Sequence, residues 1–316
     1  MSLQRYLIKR LLVMIPVLFG VTVLTFSLTK MLPGSPVDYI LQFQETTPGL
    51  REQLEAQYNL NEPIYVQYWL WLRDAMMLDF GQSIISDRSV SDAIVGRLPK
   101  TLLLGGAGFA IAICIGIPLG VLAAVNNGNT IDEVSRVGAL LGIATPNFWL
   151  GLMLLLVFSV QLGFFRVIPP ADVGVLSPAM LKFIILPAIT LGTASSALIM
   201  RLTRSSMVEE LNKDYVRTAR AKGLSERTVI VKHVLRNSMV SVVTVAAIQV
   251  AFIVNGSVVI EQVFSWPGVG RLLIDAITQR DFPVLQAIVL MIAVTIVFVN
   301  LIADLLYSWL DPRIRY

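Results

Sequence analysis

Six stretches of the chain carry no charged residue: 11–29, 101–125, 137–165, 183–200, 237–260 and 282–303. Each meets or nearly meets the roughly 20 apolar residues that a helix needs to cross about 30 Å of hydrocarbon. The runs are continuously apolar, whereas strands of a membrane barrel would alternate over about 10 residues. The pattern predicts an all-α polytopic membrane protein with six transmembrane helices. Pro16, Pro118, Pro146 and Pro187 fall inside the runs, where neighbouring groups can satisfy the freed carbonyls. Arg5, Lys9 and Arg10 precede the first run as in a signal peptide. That run is longer than a usual signal core and no small-x-small cleavage site follows it, so residues 1–30 are expected to remain as an anchor.

Between the runs lie the polar segments. Residues 31–100 form one large excursion with nine acidic residues, expected as an extracytoplasmic helical cap. Thr47 can cap a helix with Pro48 at its first position, and Leu50, Leu54 and Tyr58 recur at four-residue spacing. Pro63 can open a second helix bearing Tyr65, Tyr68, Trp69 and Trp71, aromatic residues that favour the headgroup layer. With the N-terminus in the cytoplasm, the inner segments 1–10, 126–136, 201–237 and 308–316 hold fifteen of the 25 basic residues. The longer outer segments hold the other ten, so both termini are expected inside. Gly116 with Gly120, and Gly138 with Gly142, are spaced for close approach of membrane helices.

Composition agrees with this architecture. Hydrophobic residues make up 55% and charged residues 15%, against roughly 25% charged in soluble domains. Mean hydropathy is +0.73. A disulfide scaffold is excluded by the single cysteine, Cys114. Neither a phosphate-binding P-loop nor a His-Glu-x-x-His zinc motif occurs, so ATP binding and intramembrane metalloproteolysis by this chain are not expected, nor is a metal or catalytic site. The only histidine, His233, sits in a polar segment and gives an intramembrane nucleophile no base. The six runs also lack the ionisable residue that ion coupling at the bilayer centre would call for. Gln249, Asn255, Asn147 and Asn300 are polar but neutral; each can bond between helices or line a polar pathway.

The segment 201–237 is the most informative. Residues 214–222 read as a helix, and Gly223 is placed to end it in a left-handed cap. Ser225 can then cap a second helix running through Val234. The result is a helix, a glycine turn and a helix, held at both ends by membrane spans. It resembles a DNA-binding helix-turn-helix, but it lacks the residues for a supporting core and is held beside the bilayer, so no nucleic acid is expected. A plain connection bordered by anionic lipid headgroups is one reading. A rigid docking helix for a cytoplasmic partner is the other.

This loop resembles the coupling loop of ABC importer permeases, whose loose pattern is Glu-Ala-Ala-x-x-x-Gly followed by Ile-x-Leu-Pro. Aligned on Gly223, the first three positions are Arg217, Thr218 and Ala219, and the later Ile and Pro positions are His233 and Arg236 around Leu235. Ala219, Gly223 and Leu235 match. The segment Tyr215–Gly223 is similar to the variant in dipeptide, oligopeptide and nickel importer permeases. So are Arg10, Ile15 and Pro16, Leu32-Pro33-Gly34-Ser35-Pro36, Asp79-Phe80-Gly81-Gln82-Ser83 and Arg97-Leu98-Pro99-Lys100-Thr101. Thr145-Pro146-Asn147-Phe148, Glu261 through Gly270 and Asp311-Pro312-Arg313 complete the series in order. The resemblance is to the first of that family's two paired permeases.

That resemblance implies a type I ABC importer permease fold in a prokaryotic inner membrane, with a transmembrane core over 97–305, a coupling loop over 204–236 and a cytoplasmic tail over 306–316. It implies three kinds of partner besides membrane lipid: a homologous second permease, two cytoplasmic ABC ATPase subunits and an extracytoplasmic solute-binding protein. ATP and Mg belong to the ATPases, and no cofactor to this chain. Arg217, Thr218, Ala219, Lys222, Gly223, Leu224, Ser225 and Leu235 become the residues of ATPase coupling, and transport of peptides or a related solute such as a nickel chelate proceeds by alternating access. Gln249, Asn255, Trp266, Pro267 and Gly268 are candidates for the pathway or its gate, although Pro267-Gly268 is also an ordinary turn signal. A secondary transporter or channel working alone is the competing class.

Overall fold

The computed structural model describes residues 3–31, 37, 41, 49–170 and 174–310, with the backbone alone for 3–9, 57, 251, 252, 254, 255 and 303–310. Thr47, Pro48, the Leu32–Pro36 segment, Asp311-Pro312-Arg313 and the Asn255 side chain lie outside the described residues. Among the described residues every regular element is a helix, apart from one antiparallel bridge between Gln82 and Ser89. In chain order these are α1 (Leu3–Met31), α2 (Leu50–Gln57), α3 (Ile64–Met76), α4 (Val90–Val125), α5 (Thr130–Ala144) and α6 (Asn147–Leu154). Then follow α7 (Pro178–Phe183), α8 (Ile185–Leu211), α9 (Asp214–Ala221), α10 (Glu226–Thr228), α11 (Arg236–Val263), α12 (Val269–Gln279) and α13 (Phe282–Leu310). A π-helical stretch, Leu155–Gln161, continues α6, and another, Val229–Leu235, joins α10 to α11 without a break.

Five helical stretches are long and apolar enough to cross a membrane: Arg10–Met31, Val90–Val125, Ile185–Leu211, Glu226–Val250 and Phe282–Ile302. The sixth predicted span, 137–165, is not one straight helix. Thr130–Ala144 and Asn147–Gln161 meet at a bend of 100°. The cause is Pro146, which has no N–H to give and drives the preceding residue out of the helical region. Thr145 is extended at φ −79°, ψ 122°, and its backbone N–H at 3.0 Å and its hydroxyl at 2.7 Å both donate to the Leu141 carbonyl, closing the last turn before the break.

Two compact units divide the chain: Ser2–Pro99 with Gly268–Phe298, and Lys100–Pro267 with Val299–Tyr316. In the first, the cap packs on the anchor. The Thr22 and Tyr68 hydroxyls share a hydrogen bond of 2.8 Å, and the Phe26 ring lies 5.5 Å from Tyr68 and 5.8 Å from Trp71. Only Tyr65 and Trp69 of the aromatic set remain exposed, so Tyr68 and Trp71 serve packing more than the headgroup layer. The cap's first helix starts at Leu50 behind Gly49 at φ 86°, and Pro63 precedes its second. A separate core joins Val90 and Ile94 to Val269, Ala276, Val284 and Ile288. Asp281 is buried there, accepting from Ser83 Oγ at 2.5 Å and from the Ile84 backbone N–H at 3.3 Å.

In the second unit α8 is the central helix and packs against α5, α6 and α11. Glycine lets α4 approach it backbone to backbone: a Cβ on Gly116 would stand 2.7 Å from the Ser196 carbonyl oxygen, and one on Gly192 2.6 Å from that of Gly108. Gly120 and Gly142 also face α8, whereas a Cβ on Gly138 would meet open space. The main core gathers Leu104, Met180, Phe183, Leu191, Ile260 and Trp266. Thr203 and Ser159 are buried within this unit, each with a side-chain oxygen that finds no protein partner.

Candidate functional site

Between the fourth and fifth spans the local sequence folds as its residues dictate. The helix α9 is one side apolar and the other charged: Val216 and Ala219 are buried, while Arg217, Thr218 and Arg220 are exposed. Its end is closed at Gly223, which takes φ 76°, with the Gly223 N–H donating to the Arg220 carbonyl at 2.9 Å. Ser225 then caps α10, its Oγ accepting from the Thr228 N–H at 3.4 Å. Both local expectations hold. The second helix, however, does not stop at Val234 but runs on through the π-helical stretch into α11.

Buried beneath this element is a small core of Ala124, Met207, Val216, Ala219, Val229 and Val234, with Tyr215 and Leu235 partly buried against it. Polar ties stiffen it from outside. Arg220 grips Glu226 across the glycine turn through Nη2 at 2.5 Å and Nε at 3.1 Å. Tyr215 Oη donates to Glu210 Oε2 at 2.6 Å, and Lys213 pairs with the same carboxylate. Burial, together with the bond to Glu210, raises the Tyr215 phenol above its ordinary pKa, against the opposing effect of Asn237. Glu210 likewise holds the Lys213 ammonium above its ordinary value.

The candidate coupling residues therefore separate into two sets. Arg217, Thr218, Lys222, Gly223, Leu224 and Ser225 are exposed at the tip, while Ala219 is buried in the small core and Leu235 is partly buried against it. A second tie was not foreseen. Arg204 on α8 binds the buried carboxylate of Asp132, with Nη2–Oδ2 at 2.7 Å, and donates to Asn127 Oδ1 at 2.9 Å. Gly128 N–H completes the Asp132 site at 3.0 Å. The sequence signal was present only as two charges in separate polar segments, whose pairing across 72 positions no local pattern reveals.

The candidates for a pathway are dispersed. Gln249 is buried and gives its amide to Ser195 Oγ at 3.1 Å, a bond between α11 and α8. Trp266 is fully buried, stacked on Phe183 at 5.9 Å between centroids, and its Nε1 donates to the Lys100 carbonyl at 3.1 Å. Pro267 and Gly268 lead from it into α12. No group of three or more metal-ligating side chains exists among the described residues.

Comparison with known proteins covers nearly the whole chain. Residues 116–316 match the family described as binding-protein-dependent transport system inner membrane component, and residues 3–105 match the N-terminal part of that system's membrane component. The chain is 44% identical to the oligopeptide transport system permease protein AppB of Bacillus subtilis (strain 168), covering 98% of this chain and 99% of that one. It is 43% identical to the glutathione transport system permease protein GsiC of Escherichia coli (strain K12), again over 98% and 99%. Solved structures with the same fold include a chain of the MetNI methionine ABC transporter in inward-facing conformations, with a TM-score of 0.53 at 17% identity over 69% of this chain and 96% of that one. A chain of an amino acid ABC transporter with histidines has a TM-score of 0.53 at 15% identity, over 69% and 94%. The fold is that of type I importer permeases, and the chain belongs to the family of binding-protein-dependent inner membrane components, the permeases of ABC importers.

Proposed function

We propose that this permease carries peptides, or a related small solute such as glutathione or a nickel chelate, across a prokaryotic inner membrane by alternating access. The reading is supported by the oligopeptide and glutathione permeases to which the chain is similar over nearly its full length. Its partners are a homologous second permease, two cytoplasmic ABC ATPases that bind ATP and Mg, and an extracytoplasmic solute-binding protein. Both termini and the 126–136 and 201–237 segments lie in the cytoplasm, where most basic residues fall. The chain itself performs no chemistry on ATP and holds no cofactor.

One observation carries the mechanism. The tip Arg217–Ser225 is exposed apart from Ala219, yet α8 runs into it from the membrane and α10 runs out of it into α11. A stiff, partner-accessible element joined at both ends to spans conveys rigid-body motion, which a flexible loop would dissipate. Closure of the ATPases on ATP moves this element and rocks the helices; hydrolysis resets them. The test replaces Gly223 by valine. Uptake should be lost while the protein still accumulates in the membrane, and parental uptake at normal expression would refute the role. Purification in mild detergent is expected to recover two ATPases and a second permease, whereas a homo-oligomer of this chain alone would favour a stand-alone transporter.

A further inference from the structure

Glu261 stands one residue beyond the charge-free run 237–260, in the last turn of α11, and is fully buried. A carboxyl group is retained in such a place only where hydrogen bonds replace water. Its Oε1 accepts from Thr101 Oγ1 at 2.8 Å, and its backbone carbonyl accepts from the Trp266 N–H at 2.8 Å. Trp266 returns to the residue beside Thr101, donating from Nε1 to the Lys100 carbonyl at 3.1 Å. Two consecutive residues of α4 thus hold both ends of the turn from Glu261 to Trp266. Phe264, Trp266 and Phe183 are buried around them, with the Trp266 and Phe183 ring planes 1° apart. Lys100 and Pro267, the first and last residues of this unit's long stretch, flank the clamp.

We propose that Glu261 is a positioning residue of the transport cycle: with Thr101 it ties the end of the fifth span to the start of the second, so that the two ends travel as one body. Trp266 is then an anchor of that body and not a swinging gate. Opening the turn would strip partners from a carboxyl group and an indole N–H in apolar surroundings, so movement is left to other parts of the bundle. This inference rests on the permease reading above.

The test uses the complete transporter in proteoliposomes, on a Cys114→Ser background, and reads cargo taken up per ATP hydrolysed. Glu261→Gln keeps an oxygen for Thr101 and should stay within about twofold of the parent, whereas Glu261→Met should lower the ratio about tenfold while hydrolysis continues. Should the methionine variant fail to reach the membrane, Thr101→Val removes the same bond from the other side and carries the same expectation. Parental ratios in the methionine or valine variant would overturn the proposal. In a second arm, a short thiol crosslinker joins Thr101→Cys to Glu261→Cys. Linking should raise uptake from the low level of the unlinked double variant toward that of the parent; uptake left unchanged or lowered further on linking overturns the proposal. A parent that moves no cargo under ATP would instead refute the permease reading, which keeps the two failures apart.

Discussion

Two helix ends in this protein close in the same way and are put to opposite use. After α9, Gly223 takes φ 76° and turns the chain; after α11, Ser265 takes φ 51° and does the same. The first turn is exposed from Arg217 through Ser225, apart from Ala219, and its bonds are local, as between Arg220 and Glu226. The second is buried, and its bonds reach some 160 positions back, to Lys100 and Thr101. A left-handed helix end says only that the chain turns. Whether it offers a surface to a partner or fastens two spans together depends on what surrounds it.

The contrast can be broken at either end. Trp266→Ala removes a fully buried ring and its hydrogen bond, and should cost about 3–5 kcal/mol, read as a lowered unfolding temperature in detergent. An exposed-loop response, with little thermal change, would mean that the turn is not an anchor. Gly223→Val meets no neighbour within 4 Å, so its expected cost is backbone strain alone, about 1–2 kcal/mol. That cost should appear as lost uptake, with hydrolysis by the assembled transporter no longer stimulated by cargo delivery. Gln249→Leu deletes the bond to Ser195 and should destabilise by about 1 kcal/mol, with substrate preference unchanged if the amide is only a helix tie. Altered cargo preference would return Gln249 to the pathway.

The smallest effect is expected at the exposed pair. Arg220→Met should change stability by less than about 1 kcal/mol, because both partners are solvated. The Glu226 carboxylate raises the Arg220 guanidinium above its ordinary pKa. A raised pKa in the folded state gives stability that lasts until the pH climbs through it. The arginine therefore adds no pH dependence near neutrality, and high salt should weaken the pair more than pH does. A steep change in unfolding temperature around neutral pH would show that another group governs this turn.

The shape of the 214–225 element was readable because its determinants are neighbours in the chain: a charged face, a glycine at the helix end and a serine to restart it. What could not be read was which coupling candidates face inward. Ala219 and Leu235 share a pattern with the exposed tip but are turned into the core by Val216, Val229 and Val234. The break at Pro146 also escaped the hydropathy pattern, since every residue around it is uncharged; the proline itself was the signal. In the sequence Glu261 stood out only as the first residue of the 261–270 segment, and its tie was not legible because its partner Thr101 stands at the start of the second run.

Hydrophobic runs of membrane-spanning length determine by themselves that this chain is a bundle of helices in lipid, since only helices and closed barrels satisfy backbone polar groups there and the unbroken apolar runs do not suit a barrel. Local rules of capping and turn chemistry likewise determine the shape of the 214–225 element. Tertiary structure alone decided that Asp132 meets Arg204, that Gln249 meets Ser195 and that Glu261 and Trp266 are fastened to residues 100 and 101. Desolvation is the reason. A polar group in an apolar interior must find a partner somewhere, but which one is set by how distant segments pack, and that information is spread over the whole chain.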